Sequence, residues 1–385
     1  MIRKLFALAL ILVLLQNFAL AVPVESSPPI PIPAKAAILA DVHSGRIIFE
    51  HGADEPLPIA SLTKMMAILI ALEEVQSGRA AFDDPVEISQ HAASMGGSQA
   101  LLEAGESQKF SNLLMSMIVA SANDATVAIG EHLFGTELLF VDRMNRRAVE
   151  LSLQNTHFVN STGLPAEGQH ASARDILTIS LALSEHPEFF QFSTVWMDEM
   201  IHPNGRITQL TNTNRLIRTY QGADGFKTGS TSQAGYCISA TAKRGDMRFV
   251  AIVLGANTGK ERFALAADML DHAFATYRRF HVAKKGARVR GELPISGGRQ
   301  SSLVLMLGSD FDILLKKGDE RPIDLVPRIP ATLHAPIARG QLIGYILVMH
   351  GQNEIGQIPV VAQESIDRQN YATGWQRLWH RWFYR

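Results

Sequence analysis

Ser61-Leu62-Thr63-Lys64, Ser121-Ala122-Asn123 and Lys227-Thr228-Gly229 each occur once in this chain, in that order. Together they hold the parts of a serine acyl-transfer site. A serine hydroxyl is a poor nucleophile until a neighbouring base takes its proton. Ser61 and Lys64, three residues apart on a helix, share one face, and the amine can reach the hydroxyl. The run Ile59 to Glu74 is apolar on nearly every side, so its helix is central and buried. Lys64 then loses the solvation that favours its charged form and becomes a usable base. Alone, a Ser-x-x-Lys spacing arises by chance about once in a chain of this length. It then reads by default as a lysine snorkelling from a core helix. The other two motifs shift that balance.

Ser121 and Asn123 interrupt the helical stretch Leu113 to Leu133. From a loop they can reach the same cleft, Ser121 relaying a proton to a leaving group and Asn123 holding a substrate backbone. They can equally be a side-chain turn that breaks the helix. Lys227-Thr228-Gly229 starts a strand in a Gly-rich setting (Gly222, Gly225, Gly229). Its amine and hydroxyl suit a carboxylate, and Gly229 admits a close substrate backbone. A solvated edge strand is the plainer alternative. The backbone N–H groups of Ser61, at a helix N-terminus, and Ser230, on the strand, are the candidate oxyanion hole.

These segments need a scaffold. Ala37 to Ala40 and Arg46 to Phe49 are strand-like and flank a His43-Ser44-Gly45 turn, which predicts a hairpin. Three more strand-like runs follow, Phe226 to Thr228, Tyr236 to Thr241 and Arg248 to Gly255, the last two separated by Lys243-Arg244-Gly245-Asp246. A helix over Leu265 to Phe280 closes this region. Short alternating runs then recur between Gly and Pro, among them Ala287 to Leu293, Leu303 to Gly308 and Leu342 to Met349, the pattern of a small all-β module.

The chain has 385 residues, more than one core usually holds, so two domains are expected. Lys+Arg 36 against Asp+Glu 37, with no basic stripe, argues against a nucleic-acid partner. Arg3 and Lys4, the apolar run Leu5 to Leu15 and the small residues Ala19-Leu20-Ala21 read as a cleavable secretory signal, residues 1–21. The run is too short for a membrane span. Cys237 is the one cysteine, so no internal disulfide can form, and its apolar setting makes it a buried strand residue rather than a nucleophile.

At this point the chain resembles the low-molecular-mass penicillin-binding proteins that act as D-alanyl-D-alanine carboxypeptidases. The resemblance is carried by Pro58-Ile59-Ala60-Ser61-Leu62-Thr63-Lys64-Met65-Met66, Ser121-Ala122-Asn123-Asp124-Ala125, Asn155-Thr156-His157-Phe158, Ser172-Ala173-Arg174-Asp175, Gly225-Phe226-Lys227-Thr228-Gly229 and Leu333-His334-Ala335-Pro336-Ile337. It implies an α/β (α+β) β-lactamase-like transpeptidase domain with a central antiparallel sheet, residues 22–280. An all-β domain, residues 281–366, and a C-terminal amphipathic helix, residues 367–385, would follow. The implied substrate is a peptidoglycan stem pentapeptide ending in D-Ala-D-Ala. Ser61 attacks the D-Ala-D-Ala carbonyl, D-alanine leaves, and water releases the shortened peptide, with no metal and no cofactor. Arg262 matches the position that the family uses near the substrate carboxylate, although by itself it reads as a surface charge. β-Lactams, which mimic the dipeptide, are expected to acylate Ser61. Ala122 stands where some members have glycine, and Ser230 where some have histidine; the second departure bears on turnover and β-lactam preference.

Tyr371, Trp375, Leu378, Trp379 and Trp382 follow helical spacing, punctuated by Arg368, Arg377, His380, Arg381 and Arg385. Such a helix lies in a membrane interface, as the family's anchors do, which would place the enzyme on the outer, periplasmic face of the cytoplasmic membrane. Packing on the β-domain or in a dimer contact is the alternative for this tail. Two other functions compete. A class A-like β-lactamase needs a glutamate to activate the deacylating water. Glu150 is the nearest candidate, but Gln154 follows and the local sequence fits a helix end. A non-catalytic β-lactam sensor or cell-wall binding module is the other; a sensor needs transmembrane signalling helices, and no long apolar run follows the signal.

Overall fold

The computed structural model describes residues 30–369. The secretory signal and residues 370–385 of the expected amphipathic helix lie outside the described residues. The chain divides into two compact units, one ending at Arg279 and the other beginning at Phe280.

In the first unit, β1 (Ala36–Asp41) and β2 (Ile47–His51) form the expected hairpin. A short 3-10 turn, Ala60–Thr63, leads into α1 (Lys64–Gln76), whose residues Lys64 to Leu72 are all buried. Ser61 therefore sits in the tight turn before the α-helix. The small pair β3 (Pro85–Glu87) and β4 (Ser107–Lys109) brackets α2 (Gln90–Ala93). Then come α3 (Phe110–Val119), α4 (Asn123–Phe134), α5 (Glu137–Glu150), α6 (Ala173–Ser184) and α7 (Pro187–Ser193). A second hairpin, β5 (Met197–Ile201) and β6 (Ile207–Thr211), and the single turn α8 (Leu216–Thr219) precede β7 (Ala223–Thr231), β8 (Gly235–Arg244) and β9 (Met247–Ala256).

These last three strands pair antiparallel and join the first hairpin in a sheet of order β2-β1-β9-β8-β7. β1 and the middle of β9 are buried without interruption, as strands covered on both faces must be. The closing helix α9 runs Gly259–Thr276, starting before and ending before the expected Leu265 to Phe280. Thr258 and Glu261 cap each other's backbone N–H and so fix its start. Beyond Thr276 the chain is extended in β10 (Tyr277–Ala283), where aromatic residues favour a strand. β7 is an edge strand, yet Gly225 to Gly229 are buried because the Ser61 turn and α7 and α8 cover it. The solvated edge that the sequence left open is therefore excluded.

The second unit is all-β, as expected. It contains β11 (Arg288–Ser296), β12 (Ser302–Leu307), β13 (Phe311–Lys316), β14 (Ile323–Arg328), β15 (Leu333–His334), β16 (Leu342–His350) and β17 (Asn353–Ala362). β13 pairs with β10, and the others form a sheet of order β14-β16-β17-β12-β11-β15. Leu303, Leu305, Val348, Ile358 and Val360 centre its core. Arg368, expected in the amphipathic helix, is instead extended and bridged to Gly298, and its Nε donates to Ala335 O. Among the described residues no helix is long and apolar enough to cross a membrane.

Candidate active site

The turn that carries Ser61 is wedged between two glycines. A Cβ on Gly229 of β7 would lie 2.8 Å from both Ile59 O and Ser61 N. A Cβ on Gly163, whose φ is +83°, would lie 2.0 Å from Ala60 O and 2.9 Å from Ser61 N. No side chain fits either gap. Gly229 was expected to admit a substrate backbone. The side on which a Cβ would stand is filled by the Ser61 turn, which brings the nucleophile's N–H against the Lys-Thr-Gly strand. Ala60 itself takes a left-handed φ of 49°, a strained conformation held by this packing.

Lys64 is completely buried at the start of α1. Its Nζ lies 3.2 Å from Ser61 Oγ, 2.6 Å from Asn123 Oδ1 and 2.6 Å from Thr162 O. Burial holds its pKa well below the ordinary lysine value, and the positive charge of Lys227 lowers it further, against the partial opposition of Asp124. An ammonium donates to all three partners. A neutral amine has two N–H bonds and one lone pair. Asn123 Oδ1 and Thr162 O can only accept, so they take the two N–H bonds and leave the lone pair for the Ser61 hydroxyl.

Ala120, Ser121 and Ala122 fill the break between α3 and α4, and Asn123 is the first residue of α4. Ser121 adopts φ 62°, and its Oγ is buried with no hydrogen-bond partner among the described residues. Such an orphan costs free energy unless a ligand or water completes it. The Asn123 amide is oriented by its neighbours, with N donating to Ser98 O (2.7 Å) and Nδ2 to Gly96 O (2.6 Å). Asp124 beside it accepts from the N–H groups of Ala100, Leu102 and Ala125 and pins the 96–102 loop to the helix.

On β7, Lys227 is buried and its Nζ has one long bond, 3.4 Å, to Thr228 O. Burial and the nearby Arg262 bring its pKa down to about 7. Arg262, in the first turns of α9, is only 8% exposed and not a surface charge. Its Nη1 donates to Gly229 O (3.1 Å) and Cys237 O (3.2 Å), and its guanidinium carbon lies 4.4 Å from the Phe263 ring centre. No carboxylate pairs with it among the described residues, and burial lowers its pKa to about 10. With Lys64 held as a neutral amine, Lys227 and Arg262 are the site's two buried basic groups without a carboxylate partner among the described residues. An anion is the missing partner.

Ser230 is exposed on β7 opposite Tyr236, and its hydroxyl makes no contact that ties it to Ser61. Cys237 is fully buried in β8, and burial pushes its thiol up to about 11, as an inert strand residue requires. Glu150 ends α5 at the surface, paired with Arg143 and Arg147, and so is not poised over an acyl group. The contact that sequence reasoning missed is Thr162 O. A backbone carbonyl leaves no trace in residue type, although the turn-forming run Asn160-Ser161-Thr162-Gly163 marks a tight loop.

A buried lysine against a serine, an amide from a helix start and a cationic strand, all packed on an antiparallel sheet, define an acyl-serine hydrolase of mixed α and β structure. The sequence pattern of the D-alanyl-D-alanine carboxypeptidases matches residues 23–258, and that of the penicillin-binding protein 5 C-terminal domain matches residues 277–368. The chain belongs to this family, the low-molecular-mass penicillin-binding serine D-alanyl-D-alanine carboxypeptidases. It is 36% identical over 350 residues to D-alanyl-D-alanine carboxypeptidase DacF of Bacillus subtilis, covering 91% of this chain and 90% of the relative. Penicillin-binding protein 5 of Haemophilus influenzae is similar in structure, with a TM-score of 0.79 at 29% identity over 89% of this chain and all (100%) of that one. Penicillin-binding protein D2 of Listeria monocytogenes, solved in an ampicillin-bound form, matches 64% of this chain and 100% of its own, with a TM-score of 0.55 at 31% identity.

Proposed function

We propose that this D,D-carboxypeptidase works through a Ser61 acyl-enzyme on stem pentapeptides. The observation that carries the reading is Lys64, buried and bonded so that its neutral form faces the Ser61 hydroxyl. Lys64 takes the proton as Ser61 Oγ attacks the carbonyl between the two D-alanines. The oxyanion is received by the N–H groups of Ser61 and Ser230. Ser121 Oγ passes a proton to the departing D-alanine amine and regains one from Lys64, which is then neutral again, and Asn123 holds the peptide backbone. The terminal carboxylate is the anion that Lys227, Thr228 and Arg262 bind. Water then attacks the ester carbonyl, its proton goes to Lys64, and Ser61 Oγ leaves with a proton. β-Lactams, with a carboxylate and a strained amide in the same relation, acylate Ser61 by the same steps.

The test is D-alanine release from a stem pentapeptide. The wild-type protein releases it and Ser61→Ala does not. Release that survives in the variant would remove Ser61 from its role.

Export and attachment to the outer face of the cytoplasmic membrane belong to the same proposal, supported by residues 1–21 and by the Trp- and Arg-rich tail. Because Arg368 and Gln369 still bond the β-unit, truncation should begin at Asn370. The truncated protein is expected in the soluble fraction with D-alanine release intact; membrane retention would refute the anchor.

A further inference from the structure

One loop touches both the base and the nucleophile's backbone, and a single side chain folds it. Asn160 Oδ1 accepts four hydrogen bonds, from Gly163 N (2.8 Å), Thr162 N (3.2 Å), Thr162 Oγ1 (3.2 Å) and Gln169 Nε2 (3.3 Å). Its Nδ2 donates to Leu164 O (2.9 Å), so the amide closes the turn from both ends. Gln169 braces it, with Oε1 accepting from Val159 N and Asn160 N. The turn delivers two things. Thr162 O receives Lys64 Nζ at 2.6 Å, and Gly163 sits where even a Cβ would strike the Ala60–Ser61 peptide.

We propose that Asn160 is a positioning residue for acyl transfer: its amide fixes the Thr162 carbonyl on Lys64 and the Gly163 backbone behind Ser61. It touches neither substrate nor reacting atom and acts through those two groups. The inference rests on Ser61 and Lys64 being nucleophile and base. The Thr162 carbonyl favours the ammonium form of Lys64, because a hydrogen bond to a charged form stabilises it. Lys227 on β7 disfavours that form, and Asp124 on α4 favours it. Releasing the carbonyl lowers the pH at which Lys64 deprotonates, and it also loosens the amine's aim at Ser61. Misplacing a catalytic group by about 1 Å reduces the rate on the order of 100-fold.

The experiment is stopped-flow acylation by a fluorescent penicillin across pH, on the full chain, for wild type, Asn160→Ala, Asn160→Asp and Ser61→Ala. Asn160→Ala is expected to lose roughly 10- to 100-fold in plateau rate, with its acid limb moved to lower pH. Asn160→Asp keeps the four acceptor bonds but puts a carboxylate oxygen where Nδ2 donates to Leu164 O, and it adds a negative charge near Lys64. Its plateau should fall between those of Asn160→Ala and wild type while its acid limb moves to higher pH. Opposite shifts from two variants at one position do not follow from lowered stability alone. Wild-type profiles in both variants, or shifts in the same direction, overturn the proposal; should Asn160→Ala not fold, an unshifted Asn160→Asp limb does so. Acylation of Ser61→Ala would instead overturn the underlying reading.

Discussion

Gly163→Ala is the sharpest perturbation of the site that leaves every functional side chain in place. The new methyl group would stand 2.0 Å from Ala60 O and 2.4 Å from its carbonyl carbon, both backbone atoms that cannot swing aside. Overpacking of this kind costs about 1–3 kcal/mol, and an L-residue at left-handed φ adds about 1–2 kcal/mol. The sum is about 2–5 kcal/mol, a large part of a typical domain's stability. The clash relaxes only if the loop retreats from Lys64 or the Ser61 turn shifts toward β7, and either displaces nucleophile and base relative to each other. Gly168→Ala is the matched control. It lies in the same loop with φ +84°, but its Cβ would meet nothing closer than Val159 Cγ2 at 4.0 Å. The control should lose about 1–2 kcal/mol and keep the wild-type acylation rate. Gly163→Ala should lose more stability and roughly 100-fold or more in acylation. Thermal unfolding and stopped-flow acylation read the two effects separately. Equal behaviour of the two variants would refute the wedge.

Two further expectations concern the buried cations. The folded pKa of Lys227, about 7, lies below its unfolded value of 10.5, so the unfolded chain binds more protons between those values and stability rises with pH across that window. Below about pH 7 the cost is complete, so Lys227→Met should be more stable at pH 6, on the order of a few kcal/mol, should show a smaller pH dependence, and should bind substrate poorly; denaturant titrations at pH 6 and 9 check this. Arg262→Gln is expected to raise KM for a free-carboxylate pentapeptide much more than for the C-terminal amide of the same peptide, and an equal effect on both would detach Arg262 from carboxylate binding.

What the sequence revealed was local. The Ser61–Lys64 relation follows from helical spacing within an apolar run, and the break at Ser121-Ala122-Asn123 stands out because it interrupts a helical pattern. The hairpin and the three sheet strands were legible as apolar runs between turn residues. The start of α9 was missed because apolar periodicity begins at Leu265, although Thr258 and Glu261 already have the spacing of a mutual cap. β14 was missed for another reason, since five of its six residues are exposed and no alternation marks it. Burial of Arg262 and the approach of Gly163 and Thr162 depend on contacts between segments distant in sequence. Residue type carries no record of them.

The central claim is that three distant segments make one acylation site with Ser61 as its nucleophile. Peptide mapping by mass spectrometry after brief exposure to penicillin tests it most directly. One penicilloyl adduct per chain is expected, on the peptide containing Ser61, with adduct formation slowed by orders of magnitude in Lys64→Met. An adduct on Ser121 or any other residue, or undiminished labelling without Lys64, would contradict the account.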